Sequence, residues 1–194
     1  PTPTIPTLTP TSTFTSTYTP TPPADYTPMA NLPILITEIY FPKAEENVFN
    51  TWFKVCNPHE TLYASMANKK IGDILNLYDT EDLYEFPLQS EIGPNQCIII
   101  AYQAAKFESF YRQKPDYELQ DTDNDVTNLN RDEEHIGSIF WLNPANDELV
   151  LLDEGFFSID GIGWGSSLYE PKITFTIIPG CSLKRESTDQ SEWY

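Results

Sequence analysis

An all-β sandwich is the fold class that the sequence predicts, preceded by a disordered linker rich in threonine and proline. From residue 34 onward, seven or more short apolar runs alternate with turn residues, a pattern typical of a β-sandwich. Near the centre of that region, residues 141–165 hold two apolar runs on either side of Asp153-Glu154-Gly155. This turn predicts a β-hairpin, because Gly155 can adopt a positive φ at little cost.

The first run of this hairpin, residues 148–152, has the sequence ELVLL. A short apolar run of this kind is typical of a strand that is buried on both faces. The second run, residues 157–164, begins as an alternation, with Phe157 and Ile159 on one face and polar residues on the other. We expect this hairpin to lie at the centre of the domain.

The linker is predicted by residues 1–33, which are mostly Thr, Pro and Ser and carry a single charge, Asp25. Proline fixes φ and removes a backbone donor, and threonine beside proline prefers extended backbone, so residues 1–28 are expected to be extended and semi-rigid. Such stalks hold a domain away from a surface, and some carry O-linked sugar. An inert spacer and a ligand for an aromatic groove are both open interpretations. The domain itself is expected to span residues 34–190, with residues 191–194 as a short C-terminal piece.

Further elements are predicted in chain order from apolar runs and turn residues. They are strands at 34–40, 51–56 and 71–79, an edge or bulged strand at 84–88 that contains Pro87, a turn at 93–95, a central strand at 97–101, and a last piece at 181–185. A helix is predicted for Gln103–Arg112, because its apolar residues recur at spacings of three and four. The polar and acidic segment Leu119–Glu134 is expected to be one long loop.

The charge balance restricts the partners. The chain has 11 basic and 29 acidic side chains and a net charge of -18. Nucleic acids and anionic lipid surfaces require clustered basic residues, so neither is expected as a partner. A protein or a cell-surface glycan is expected instead, bound by a monomeric domain without direct membrane contact. The sequence shows no signal peptide or transmembrane run and begins within the linker, so we expect it to be part of a longer protein.

Three cysteines, Cys56, Cys97 and Cys181, leave the redox state open. None forms a CxxC pair, so neither a zinc site nor a thioredoxin-type site is indicated. At most one disulfide can form. The position of Cys56 and Cys97 inside predicted strands favours reduced cysteines packed in the core.

Six landmarks in a fixed order carry a family resemblance. They are LITEIY with Glu38, TWFKVCNP with Trp52, YEFPL with Phe86 and Pro87, IGPNQCIIIA, LNPANDELVLLDEGFFSIDGIGWG, and Ser182-Leu183-Lys184-Arg185. Together they resemble the lamin tail domain, an immunoglobulin-like β-sandwich found in nuclear lamins and in many secreted bacterial proteins. The likeness covers roughly residues 34–190. Two positions depart from the family pattern: Phe53 and Lys54 replace an acidic residue after the tryptophan, and IGDILNLYD replaces Leu-x-Gly-Trp.

The resemblance implies a non-catalytic interaction or scaffold module in a bacterial secreted or surface protein. It carries over neither catalytic residues nor a cofactor, and it implies an extracellular location. Two further functions stay open, namely a carbohydrate- or calcium-binding β-sandwich and, third, a hydrolase.

Calcium has one candidate site, the segment Asp121-Thr122-Asp123-Asn124-Asp125. The carboxylates of Asp121, Asp123 and Asp125 alternate along a predicted loop and can wrap a hard cation. An EF-hand is not expected, because Val126 stands where that motif needs glycine. A solvated acidic loop is the other interpretation.

Catalytic and sugar-binding residues give weaker signals. His59 and His135 are the only histidines, and neither lies beside a nucleophile motif. The paired carboxylates Glu45-Glu46, Glu81-Asp82 and Asp132-Glu133-Glu134 are placed in polar loops. Four aromatic residues near the C-terminus could stack on a sugar, or could instead belong to the core and to a frayed terminus; these are Trp164, Tyr169, Trp193 and Tyr194.

Overall fold

Two six-stranded β-sheets and one two-stranded sheet make up the fold of the computed structural model. The structure describes residues 28–43, 46, 48–73, 82–133, 135, 140–186 and 193–194. The prediction of an all-β, sandwich-like fold is confirmed, since the described residues contain strands throughout and one short α-helix. None of the helices in these ranges is long and apolar enough to cross a membrane.

The strands are numbered in chain order. The first sheet has the spatial order β14 (Ser182–Lys184), β1 (Leu35–Tyr40), β2 (Trp52–Asn57), β7 (Gln96–Gln103), β8 (Tyr117–Gln120), β9 (Thr127–Asn128). The second has the order β10 (Asn130–Arg131), β5 (Leu83–Glu85), β4 (Lys70–Gly72), β11 (Asp147–Leu152), β12 (Ser158–Trp164), β13 (Lys172–Ile173). The small sheet pairs β3 (Ala64–Ser65) with β6 (Glu91–Ile92). Neighbouring strands are antiparallel, except that β8 is parallel to both β7 and β9, and β12 is parallel to β13.

The main hydrophobic core receives side chains from strands of both six-stranded sheets. Strand β2 contributes Phe53 and Val55, and β7 contributes Ile98 and Ile100. Their spacing of two follows from the alternation of side chains across a strand. Strand β1 deviates, because Ile36 and Ile39 are both fully buried although they are three residues apart. A register shift between Ile36 and Glu38 accounts for this, since a bulge moves the following side chains to the opposite face.

The predicted central hairpin is present. Strand β11 lies between β4 and β12, and both of its faces are buried as expected. Leu149 and Leu151 belong to the main core, whereas Val150 and Leu152 form a second cluster with Leu83 on the other face. A strand in the middle of a sheet with apolar layers on both sides has a continuous run of apolar residues in its sequence.

The turn of this hairpin differs from the prediction in detail. The positive φ, 63°, belongs to Phe156 and not to Gly155. The Asp153 carboxylate fixes this conformation, since its Oδ1 accepts hydrogen bonds from the backbone N–H groups of Gly155 at 2.8 Å and Phe157 at 2.9 Å. Phe157 is 73% exposed, so the expected inward alternation begins only at Ile159, which packs against the main core.

The predicted helix is confirmed as α1 (Ala104–Tyr111). It covers the outer face of the first sheet, where Phe107 packs against Trp52 and Ala101. The indole N–H of Trp52 donates to the Tyr111 hydroxyl at 2.9 Å. The outer face of the first sheet is therefore a second buried layer at this end.

Segment Leu119–Glu134 was expected to be one long loop, and this is wrong for its described part. It contains the end of β8 together with β9 and β10, because three isolated apolar side chains are buried along it: Leu119, Val126 and Leu129. Pro87 also differs from expectation, since it follows β5 and does not interrupt that strand. Of the strand predicted at 71–79, the structure describes β4 up to Gly72, and residues 74–81 lie outside the described residues.

The cysteines correct the expectation of a reduced core. Cys56 and Cys97 are register partners on β2 and β7 and form a disulfide. The neighbouring residues Val55 and Ile98 point into the core, so alternation puts both sulfurs on the outer face of the sheet, and Cys97 is exposed. Cys181 is free and exposed.

Contacts of the domain reach back to Met29. Its backbone N–H donates to the Tyr63 carbonyl at 2.9 Å, and its carbonyl accepts from the Ser65 N–H at 3.0 Å. The Lys69 ammonium donates to the carbonyl of Ala30 at 3.0 Å. Residues 1–27 lie outside the described residues, so the linker stays a prediction.

Candidate binding cleft

An open cleft of about 550 Å³ lies beside the second sheet, where β4, β5 and β10 meet the turn of the central hairpin. Its lining combines carboxylates, cations, amides and one aromatic ring: Asn68, Lys70, Glu85, Asn130, Arg131, Asp132, Glu133, Glu154 and Phe156. The volume is within the range of ~300–1,000 Å³ that is usual for small-molecule sites.

Lys70 is the best-anchored cation of the cleft. Pairing of β4 with β5 places Lys70 opposite Glu85, and its ammonium donates to the Glu85 carboxylate and, at 3.0 Å, to Asp132. The Lys70 side chain is only 9% exposed. Burial by itself lowers the pKa of Lys70, but these two hydrogen bonds outweigh burial and hold the pKa above its usual value. Lys70 is thus a fixed positive charge at neutral pH.

Arg131 provides a second fixed cation. Its Nε donates to Oδ1 of Asp82 at 3.1 Å, and its Nη2 donates to the same oxygen. The Asp82 side chain is fully buried, whereas that of Arg131 is 36% exposed. These hydrogen bonds raise the pKa of Arg131. The guanidinium is held by a carboxylate beneath it and still lines the cleft.

Phe156 supplies the apolar part of the cleft. The Lys70 Nζ lies 5.2 Å from the centroid of the Phe156 ring, within the range of a cation–π contact. The His135 ring lies 5.5 Å from the same centroid. Phe156 also packs against the second hydrophobic cluster around Val150. The ring is therefore held from several sides while it remains half-buried at the cleft.

His135 is tied into the same wall. Its Nδ1 lies 3.1 Å from Oδ1 of Asp132, and its carbonyl accepts the N–H of Leu83 at 3.4 Å. Asp132 thus contacts His135 through one oxygen and Lys70 through the other. The wall is preorganised by hydrogen bonds that the described residues make among themselves.

Other polar side chains of the cleft are not engaged in this way. Within the described part of the chain, the carboxylates of Glu133 and Glu154 have no ion-pair partner, and the amides of Asn68 and Asn130 have no hydrogen bond. The cleft therefore offers donors, acceptors and an apolar ring to a ligand. This arrangement is suited to binding.

In the predicted calcium loop, a lysine side chain forms ion pairs with two of the three aspartates. The Lys114 ammonium lies 2.8 Å from Oδ2 of Asp123 and 3.0 Å from Oδ2 of Asp125. These contacts raise the pKa of Lys114 and lower that of Asp123. Asp121 is exposed. Among the described residues, no group of three or more His, Cys, Asp or Glu side chains is arranged to hold a metal ion.

Glu118 supports that loop from below. One of its carboxylate oxygens accepts the N–H groups of Thr122 at 3.0 Å and Asp123 at 2.9 Å, and the other accepts the N–H of Ala104 at 2.9 Å. This buried carboxylate therefore joins the loop to the first turn of α1. Calcium binding at Asp121, Asp123 and Asp125 stays a prediction, and an ion there would compete with Lys114.

The four C-terminal aromatic residues are not gathered into a sugar-binding face. Trp164 is a core residue, as one interpretation held, and its indole N–H donates to the Asn143 carbonyl at 2.7 Å. Trp193 is also buried, with the Arg185 guanidinium carbon 4.9 Å from its ring centroid, so the terminus is not frayed there. Tyr169 is half-buried and hydrogen-bonds Ser158, whereas Tyr194 is 63% exposed.

His59 has a local role: its Nδ1 accepts the N–H groups of Thr61 at 3.2 Å and Leu62 at 3.1 Å. The cleft residues Lys70, Glu85 and Phe156 were missed by sequence reasoning. Two features of the sequence could have pointed to them. One is the basic pair at residues 69–70, and the other is Phe156, the first of the two phenylalanines that follow the turn glycine.

Comparison with known proteins adds no family. No protein-family model matches the chain, and no curated protein matches it either.

Proposed function

We propose that the chain is a non-catalytic interaction domain of the lamin-tail type, exposed on the outside of a bacterial cell on a Thr/Pro stalk. The Cys56–Cys97 disulfide carries this proposal. Disulfides persist in oxidising compartments and are rare where thiols are kept reduced. The composition of residues 1–33 agrees, because such stalks usually present a domain at a distance from a surface.

The immunoglobulin-like topology of the proposal is supported by the contacts of the sequence landmarks. Arg185, from the terminal Ser-Leu-Lys-Arg, donates to Oδ1 and Oδ2 of Asp160 at 2.9 and 2.8 Å. The backbone N–H of Ile36, in the first landmark, donates to the same Asp160 at 2.7 Å. Three landmarks distant in sequence thus meet at one ion pair that links the two large sheets.

Asn57 makes a second connection of this kind. The two N–H groups of its buried amide are shared among the carbonyls of Leu62 at 2.7 Å, Ile92 at 3.0 Å and Gly93 at 3.1 Å. The Asn-Pro landmark is thereby joined to the Gly-Pro landmark. A buried amide with all of these partners stabilises one arrangement of the loops, since leaving it unpaired would be costly. The landmarks therefore act as structural residues, which favours a scaffold over an enzyme.

The location can be tested on intact source cells with an antibody against the domain. We expect surface labelling that is lost after mild protease treatment of unbroken cells. Labelling that requires permeabilised cells, with the chain protected from external protease, would contradict the extracellular proposal. An abundant protein of the cytoplasm serves as the control for cell integrity.

A further inference from the structure

We propose that the cleft between β4, β5, β10 and the 153–157 turn is a binding site for a neutral saccharide. The inference goes beyond the proposed scaffold function and does not depend on the stalk or on the lamin-tail likeness. It rests on the charge pattern of the lining, on the uncommitted polar groups and on the Phe156 ring.

The charge pattern of the lining disfavours an anion. Four carboxylates face only two basic side chains, Lys70 and Arg131, so an anion would meet an excess of like charge, which opposes binding. Lys70 is already compensated by Glu85 and Asp132, and Arg131 by Asp82, so neither needs a counter-charge from a ligand. An uncharged ligand with hydroxyls fits the remaining groups better than a cation, because an ammonium group only donates hydrogen bonds and would leave the amide N–H groups of Asn68 and Asn130 unused.

The uncommitted groups match hydroxyls. The amides of Asn68 and Asn130 each offer donors and an acceptor, and the carboxylates of Glu133 and Glu154 offer acceptors only. A sugar hydroxyl is at once a donor and an acceptor, so it can use both kinds of group. A ligand rich in hydroxyls can therefore satisfy all four side chains.

Phe156 provides the surface on which the apolar face of a sugar ring can pack. The cation–π contact with Lys70 and the packing against His135 fix its orientation before a ligand arrives. A ring that is already fixed loses little conformational freedom on binding. Its positive φ of 63° is unusual for a bulky residue. Glycine tolerates such a φ, which makes Phe156→Gly a variant that removes the ring without straining the turn.

The test is a titration of the isotope-labelled chain followed by backbone amide NMR. The probes are neutral oligosaccharides of glucose, of mannose and of N-acetylglucosamine, with oligogalacturonate as an anionic probe and oligolysine as a cationic probe. We expect at least one neutral probe to give saturable shifts at residues 68–70, 130–133 and 154–156. Both charged probes should leave these amides unmoved.

Two neighbouring phenylalanines provide matched variants. Phe156→Gly should weaken binding of the neutral probe by about tenfold or more, which corresponds to ~1.4 kcal/mol. Phe157→Gly is the control, because Phe157 is 73% exposed and does not line the cleft. It should leave the affinity unchanged. Asn68 also has a positive φ, 58°, which glycine adopts without strain. Asn68→Gly should therefore remove the amide and weaken binding without changing the fold.

The proposal is overturned if no neutral probe binds, if the shifts map elsewhere, or if Phe156→Gly binds as well as the wild type with an unchanged spectrum. Saturable binding of oligolysine or oligogalacturonate in the cleft would also overturn it and would identify a charged partner. None of these results bears on the location of the chain, which the cell-surface experiment decides separately.

Discussion

Replacing Arg185 by methionine should destabilise the domain strongly. The Arg185 side chain is 1% exposed and Asp160 is 10% exposed, and the guanidinium donates to both carboxylate oxygens. Methionine fills a similar volume but leaves the Asp160 carboxylate buried without its cation. Removing one partner of a buried pair costs about 3–5 kcal/mol of unfolding free energy. We expect a loss of about 3 kcal/mol, at the low end of this range, because Nε and Nη1 of Arg185 have no hydrogen-bond partner among the described residues and no such bonds are lost with them.

The assay is urea unfolding of the wild type and Arg185→Met at neutral pH, analysed with a common slope. For a domain of this length the loss corresponds to a fall in melting temperature of roughly 6–12 °C. Lys184→Met is the neighbouring control, because the Lys184 side chain is 48% exposed and lies 3.3 Å from Glu38, which keeps its ion pair with Lys54 in this variant. An exposed cation of this kind contributes about 0–1 kcal/mol. A loss in Arg185→Met no larger than that in Lys184→Met would refute the reasoning.

Three further predictions concern the disulfide, pH and calcium. Cys97→Ala should lower the unfolding free energy by about 4 kcal/mol, from the loop entropy of a bond spanning 41 residues, and Cys181→Ala should have little effect in the same denaturation assay. Burial raises the pKa of Glu38, but the hydrogen bonds from Lys54 and Ser182 and the charges of Lys54 and Lys184 outweigh it, so the pKa is lowered. The stabilisation by Glu38 is therefore present above its usual pKa of 4.5 and is lost as pH falls through the lower folded value. Glu38→Gln should therefore flatten the acid limb of a plot of stability against pH. Calcium should raise the melting temperature of the wild type and not of Asp123→Ala, and Lys114→Met should enlarge the rise, because the ion no longer competes with the ammonium.

Each of these has a contrary outcome. Equal stability of Cys97→Ala and the wild type under non-reducing conditions would show that the bond does not form in solution. An acid limb unchanged in Glu38→Gln would assign the pH dependence to other carboxylates. Melting curves that are identical in calcium and in chelator would identify the Asp121–Asp125 segment as an acidic loop stabilised by its own lysine.

The elements that could be predicted from the sequence are those whose own apolar residues show that they are buried. The ELVLL run in β11 and the CIII run in β7 contain enough apolar residues to require a central position, and both strands are central. The helix followed from its apolar spacing. The strands within 117–131 could not be predicted, because Leu119, Val126 and Leu129 are isolated among polar and acidic residues. Their strands form only by pairing with other segments: β8 is parallel to β7, β9 is parallel to β8, and β10 is antiparallel to β5.

The cleft could not be predicted for a similar reason. Lys70 meets Glu85 only because β4 and β5 pair in one register, and a shift of one residue would turn the two side chains to opposite faces. The disulfide likewise depends on the register that places Cys56 opposite Cys97. In the turn, glycine was the natural choice for positive φ, but the Asp153 hydrogen bonds move that conformation to Phe156. The cleft and the disulfide depend on pairing between distant segments, which composition and spacing do not encode, whereas the turn depends on a local side-chain hydrogen bond.

The most direct test of an extracellular, disulfide-bonded domain is peptide mapping by mass spectrometry of the protein isolated from its source cells in the presence of an alkylating agent. The sequence has three cysteines, and Cys181 is the free one. We predict that, of these three, only Cys181 is alkylated before reduction, and that reduction releases Cys56 and Cys97 together. Alkylation of all three cysteines before reduction would contradict the disulfide and, with it, the proposal that the domain functions outside the cell.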